Sequence, residues 1–286
     1  MKMKFLSLAG VMMWINTGEA RPYVVYGEDH RHDTIVASSF HQELAQSGAA
    51  MILKNQMMSK GKTTELNGPS LGKRFNLCHN ERFFFQPSVA YCSGFLVAPD
   101  LIATAGHCVQ NMVDCKKASW VFNYKVNHEN DSSVTVLTEE IYNCASIVKQ
   151  ENGGPSQNDY ALIKLDRKVQ GHTPVKIART EPEVGEPLIM IGHPSGLPQK
   201  IDDGGSVIQK IATGFRANLD AFQINSGSAI FHGQTGELVG ILVNGAQDYR
   251  KRVKEECDEV NVMQDQVGSE GVSSFKQFAQ YITSSQ

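Results

Sequence analysis

The run CSGFLVAPDLIATAGHC, from Cys92 to Cys108, constrains the fold more than any other part of this chain. Phe95, Leu96 and Val97, then Leu101, Ile102 and Ala103, read as two short buried strands joined at a Pro99-Asp100 turn. A histidine, His107, follows the second strand inside a candidate disulfide loop. One histidine alone says little, because imidazoles are often hydrogen-bonded core or surface groups.

Two further constellations give it a context. In Asn158-Asp159-Tyr160-Ala161-Leu162-Ile163-Lys164-Leu165, a carboxylate opens a strand with Ala161, Ile163 and Leu165 on one face. In Asn225-Ser226-Gly227-Ser228-Ala229-Ile230-Phe231, a turn of small residues runs into an apolar strand, and a second follows at Leu238 to Val243. A serine hydroxyl is a poor nucleophile until an imidazole takes its proton, and a buried carboxylate must hold that imidazole in one tautomer.

His107, Asp159 and Ser226 supply these parts in an order that resembles the chymotrypsin-like serine peptidases, with their TAGHC, D-x-A-L and G-[DN]-S-G markers. Asn225 before the serine, Ser226-Gly227-Ser228 and Tyr26-Gly27-Glu28-Asp29-His30-Arg31 are most similar to the bacterial glutamyl-endopeptidase branch. The resemblance covers roughly residue 24 onward. It implies an all-β fold: two six-stranded antiparallel β-barrels with a C-terminal α-helix. His107 and Asp159 come from the first barrel and Ser226 from the second. It also implies Ser226 as nucleophile, His107 as general base and acid, Asp159 as the orienting acid, and protein or peptide substrates. The alternative function is a catalytically impaired homologue that binds partners through the same cleft.

The resemblance places the oxyanion donors at the backbone N–H groups of Ser226 and Ile224. Glycine is usual at the second position. A β-branched residue at positive φ is an outlier, so either the Ile224 N–H turns inward only with substrate or activity is weak. Asn225 replaces the aspartate that pairs with a freed N-terminus in the animal enzymes, and an amide forms no ion pair. Asp220 matches the base of the primary pocket, where a carboxylate selects Arg or Lys, or else it accepts loop hydrogen bonds. Val243, Asn244 and Gly245 match the segment that pairs with substrate backbone. No histidine follows on the pocket wall, which disfavours cleavage after Glu.

Composition fits an exported globular enzyme, with 41% hydrophobic and 20% charged residues and a formal charge of -3. Nothing in it favours nucleic acid or a membrane, no later run reaches the roughly eighteen apolar residues of a span, and a monomer is expected. A basic start, an apolar stretch from Phe5 to Ile15, and Gly18 and Ala20 read residues 1 to 20 as a signal peptide, so the protein is expected to be secreted, extracellular or periplasmic. Residues 21 to 168 and 169 to 286 are then the two barrel halves.

Six cysteines suggest three bridges, and spacing alone allows roughly fifteen pairings. The resemblance supplies Cys92 with Cys108. For the other four, Cys115 with Cys144 across a hairpin-like region and Cys78 with Cys257 are proposed, and their pairing stays open. No C-x-x-C and no paired histidine spacing is present, so neither metal nor cofactor is expected.

Strands are expected at 49 to 53, 82 to 86, 90 to 97, 101 to 104, 119 to 124, 133 to 138, 160 to 165, 187 to 191, 205 to 214, 229 to 231 and 238 to 243. A loop is expected at 54 to 74 and a solvated one near Arg250 to Lys254. Phe275, Phe278, Ala279 and Ile282 share a helical face behind a serine cap. Gly68-Pro69-Ser70-Leu71-Gly72 imitates a hydrolase elbow but lacks the flanking strand and helix. Gly192-His193-Pro194-Ser195-Gly196 reads as a turn.

Overall fold

The computed structural model describes residues 24–153, 158–263 and 270–283, so the candidate signal peptide lies outside the described residues. Six strands form the first closed barrel: β1 Gly48–Leu53, β2 Cys92–Ala98, β3 Leu101–Thr104, β4 Ala118–Phe122, β5 Ile141–Asn152 and β6 Asp159–Leu165. They pair antiparallel in the order β5-β6-β3-β2-β1-β4, and β4 returns to β5.

The second barrel comprises β7 Pro187–Gly192, β8 Lys200–Ile211, β9 Gly214–Ala217, β10 Ala229–His232, β11 Leu238–Asn244 and β12 Glu270–Ser274. Their order is β7-β10-β11-β12-β9-β8, closed by the β7 to β8 pairing. Two six-stranded antiparallel barrels are thus borne out. Phe95, Ile102 and Trp120 of the first belong to one buried apolar cluster with Ile189, Phe215 and Ile241 of the second.

The chain closes through a 3₁₀ turn at Phe275–Gln277 into a short α-helix at Ala279–Thr283, with Ser274 Oγ accepting from the Lys276 N–H. Strand β12 therefore occupies the start of the segment expected to be helical.

Several local expectations need correction. Residues 82 to 86 form a turn rather than a strand: Phe83 has φ of 61°, and Phe84 and Phe85 stack around His79. Residues 54 to 74 contain a hairpin, Met57–Lys60 with Thr63–Leu66, which pairs with Val134–Leu137 as a separate three-stranded sheet. The region from 205 to 214 spans two strands, and the basic segment near Arg250 lies in a hairpin, Tyr249–Arg252 with Cys257–Val260.

The N-terminal arm crosses to the second barrel. His32–Asp33 pairs with Lys200 and Ile201 of β8, and the buried ammonium of Lys200 bonds Asp33 Oδ1 and Gln86 Oε1. Burial, partly opposed by Asp33, pushes the Lys200 pKa down to about 8. Residues 24 to 33 thus pack against the barrel that the sequence division places at 169 to 286.

Candidate active site

His107 sits in the 3₁₀ turn Gly106–Cys108 directly after β3. Glycine at 106 is needed there, because a Cβ would lie 1.9 Å from the Glu151 carbonyl oxygen of β5. Asp159, the first residue of β6, is buried and reaches His107 twice. Its Oδ1 accepts from the His107 backbone N–H at 3.0 Å, and its Oδ2 lies 2.7 Å from Nδ1. A carboxylate can only accept, so Nδ1 carries the proton and the neutral ring keeps its lone pair at Nε2. The side chain is 35% exposed.

Ser226 lies in the turn between β9 and β10. Its carbonyl oxygen accepts from the Ser93 N–H of β2 at 2.8 Å and lies 3.7 Å from Cys108 Sγ, beside the histidine turn. The next residue, Gly227, has φ of 90°, and a Cβ on it would stand 2.0 Å from the Ser93 carbonyl oxygen. These contacts join the serine turn to the strands that carry His107. The Ser226 hydroxyl donates to no described residue. Such bonds are commonly long in unliganded sites and tighten around substrate.

Ile224 has φ of 70°. The left-handed conformation that glycine adopts freely is therefore already present without substrate, at a cost of about 1–3 kcal/mol. Neighbouring bonds fix it: Ser195 N donates to Gln223 O at 2.7 Å, Gln223 N to Asp248 Oδ2 at 2.8 Å, and Asn225 N to Phe222 O at 3.1 Å. The Ile224 side chain packs against a cluster that contains Ala50, Val89 and Tyr124. Neither the Ile224 nor the Ser226 N–H donates to any described residue, whereas the Asn225 N–H between them is bonded to Phe222 O.

Asn225 is buried and internally satisfied. Ser228 Oγ lies 2.5 Å from its carbonyl oxygen and 2.7 Å from its Oδ1, and Nδ2 faces Met190 Sδ at 3.4 Å.

Asp220 corrects the pocket expectation. Its Oδ1 accepts from Tyr26 N at 3.2 Å and its Oδ2 from His30 N at 2.7 Å, so both oxygens hold the N-terminal arm. The hydrogen-bonding alternative describes it better than a carboxylate facing an incoming cation. Burial pushes its pKa up to about 6. Burial and the charge of Asp220 push neighbouring Asp202 to about 7.

Val243, Asn244 and Gly245 run off the end of β11, with Asn244 opposite Gly271. Gly245 is exposed, and a Cβ there would meet Glu270 Oε2 at 2.1 Å. Glu270 gave no sequence signal, being a single acid without periodic context. Its side chain is fully buried, Oε1 accepts from Tyr26 Oη at 3.0 Å, the Ala246 backbone N–H also faces the carboxylate, and burial drives its pKa well up.

The bridges are Cys92–Cys108, Cys115–Cys144 and Cys78–Cys257. The first ties the histidine turn to the start of β2. Of the rejected motifs, Ser70 caps the short helix Leu71–Arg74. His193 and Ser195 are buried, with the Ser195 hydroxyl 2.6 Å from Tyr249 Oη.

Comparison with known proteins places these elements in context. The trypsin-like peptidase domain matches residues 92–241, more than half of the 286. Chymotrypsin-like elastase family member 3A of Homo sapiens is 30% identical over 91 residues, 32% of this chain and 33% of that protein. Granzyme-like protein 2 of Rattus norvegicus is 33% identical over 86 residues, 30% of this chain and 31% of that protein. The chain thus spans about a third of the length of these curated relatives. A solved structure of a Glu endopeptidase in complex with MPD superposes with a TM-score of 0.53 at 19% identity, covering 92% of this chain and 99% of the other, a likeness of fold.

Proposed function

Because the chain belongs to the trypsin-like peptidase domain family, we propose that it is a serine-type endopeptidase acting on protein or peptide substrates in the cleft between its barrels. Ser226 Oγ attacks the scissile carbonyl carbon while His107 Nε2 takes its proton. Asp159 holds the ring and stabilises its charged form. The oxyanion rests on the Ile224 and Ser226 N–H groups. Collapse of the tetrahedral intermediate breaks the C–N bond, His107 returns the proton to the departing amine, and water then hydrolyses the acyl-enzyme by the same proton path.

The observation that carries this reading is the pair of hydrogen bonds that the His107 ring and backbone donate to Asp159, next to a serine turn bonded to β2. Three disulfides and the basic, then apolar, start of the chain support export as the setting. Among the described residues no helix is long and apolar enough to cross a membrane.

For specificity, Glu270 is the stronger candidate than Asp220. It lies beneath Gly245, beside the strand end to which substrate backbone is assigned, and a cationic side chain entering there would draw its buried carboxyl into the charged form.

Labelling with a fluorophosphonate tests the enzyme reading. Wild-type protein should be modified at Ser226 and the label lost in His107→Ala. A folded wild type that takes no label and cleaves no peptide library would instead leave the noncatalytic binding homologue.

A further inference from the structure

We infer that His32, His41 and Asp203 form a binding site for a divalent transition-metal ion of the zinc class, outside the cleft. Three elements converge there. His32 comes from the short strand paired to β8, His41 from the helix Ser39–Ala45, and Asp203 from β8 itself. One ligand atom of each lies within 4.8 Å of the others.

The histidines are prepared for this role. His32 Nδ1 lies 3.0 Å from the Ile201 carbonyl oxygen. A carbonyl only accepts, so Nδ1 carries the proton and Nε2 keeps its lone pair, the arrangement that orients metal-binding histidines. The His41 backbone N–H donates to Ser38 Oγ at 3.2 Å, fixing the start of its helix.

His41 Nδ1 and Asp203 Oδ2 are 3.5 Å apart. That is long for a charge-assisted hydrogen bond. It is close to the roughly 3.3 Å between two ligands on a tetrahedral ion with bonds of about 2.0–2.1 Å. The two rings meet edge to face at 6.3 Å between centroids. Asp203 is 40% exposed, so it can rotate to close the wider separations while solvent fills a fourth position. Two imidazole nitrogens and a carboxylate oxygen are a donor set that zinc accepts.

Competing clusters among the described residues are chemically unsuited. The cysteines near His107 and near Glu255 are disulfide-bonded and offer no thiolate. In the His30, Asp202 and Asp220 group, all four carboxylate oxygens already accept backbone N–H groups from Tyr26, His30, Gly204 and Asp220. His32 and His41 escaped the sequence motifs because their third partner is remote in the chain and arrives only through the pairing of the arm with β8. An ion there clips the arm to the second barrel.

Calorimetric titration of EDTA-stripped full-length protein with zinc sulfate tests the site, with thermal unfolding followed in parallel. Wild type should bind one zinc per chain and melt at a higher temperature when loaded. His32→Ala, His41→Ala and Asp203→Asn should each weaken binding by at least about 10-fold, with far-ultraviolet circular dichroism showing that they fold. His30→Ala, in the neighbouring cluster, should bind as wild type does. Absence of both heat and melting shift in the wild type overturns the site, as does undiminished binding in the three variants or a loss confined to His30→Ala.

Discussion

Asp159 holds His107 at both ends of the residue, with one carboxylate oxygen 2.7 Å from ring Nδ1 and the other 3.0 Å from the backbone nitrogen. An asparagine can keep one of these contacts but not both, since its amide nitrogen must face one of the two donors. Asp159→Asn should therefore retain the fold and lower kcat by roughly 10³–10⁴ through the wrong imidazole tautomer. Steady-state kinetics on a cleaved peptide, beside a thermal melt, checks this. A variant within about 10-fold of wild type would remove Asp159 from the mechanism.

Ile224 already holds φ at 70°, so glycine has little left to add to turnover. Ile224→Gly should leave kcat within about 3-fold of wild type, whereas Ile224→Pro, which fixes φ near -65° and removes the N–H, should lower it by roughly 10²–10³. Equal rates in folded Pro and Gly variants would show that this amide does not meet the oxyanion.

Stability should fall as pH rises from about 5 to about 8. Burial raises Asp220 to about 6 and Asp202 and Asp248 to about 7, and it lifts Glu270 as well. Raised carboxylates bind protons more tightly when folded. Their contribution is complete below the unfolded value near 4 and is lost as pH climbs through the folded values. Buried His193, lowered to about 3, and His32, also lowered by burial, act in the opposite sense below about 6.5, but the raised carboxyls, Glu81 among them, outnumber them. Urea unfolding at pH 5.5 and 7.5 should differ by roughly 2–5 kcal/mol in favour of the acidic sample, and Asp248→Asn should flatten the slope. Greater stability at pH 7.5 would contradict the assignment.

Glu270→Gln should reduce kcat/KM for peptides with Lys or Arg before the scissile bond by roughly 10²-fold, and change peptides with uncharged residues there far less. Asp220→Asn should act mainly on thermal stability, because its oxygens hold Tyr26 and His30 rather than the cleft. Library digestion by the purified variants reads both. A uniform fall across all peptides would make Glu270 structural only.

The barrel strands legible in the sequence are short, apolar and bounded by turns: β1, β2, β3, β4, β6, β7, β10 and β11. Strand β5 was not. Its buried residues are few, and register shifts at Cys144/Ser146 and Ile147/Lys149 break the alternation that marks a strand. The aromatic run at Phe83 to Phe85 misled in the other direction, because β propensity carries no information about the positive φ at Phe83. The residues placed around the cleft were visible as local motifs, with His107 next to a cysteine and Ser226 between small residues. The roles of Asp220 and Glu270 depend on an arm some two hundred residues away in sequence, and no local pattern records such a partner.

Cys78–Cys257 joins positions 179 residues apart, and both barrels lie largely between them. A proteolytic nick at any exposed loop inside that interval leaves two pieces still covalently joined, so nicks can accumulate without the halves separating until a reductant arrives. Mass measured without reduction will then register only added water, while the reduced sample falls apart into fragments.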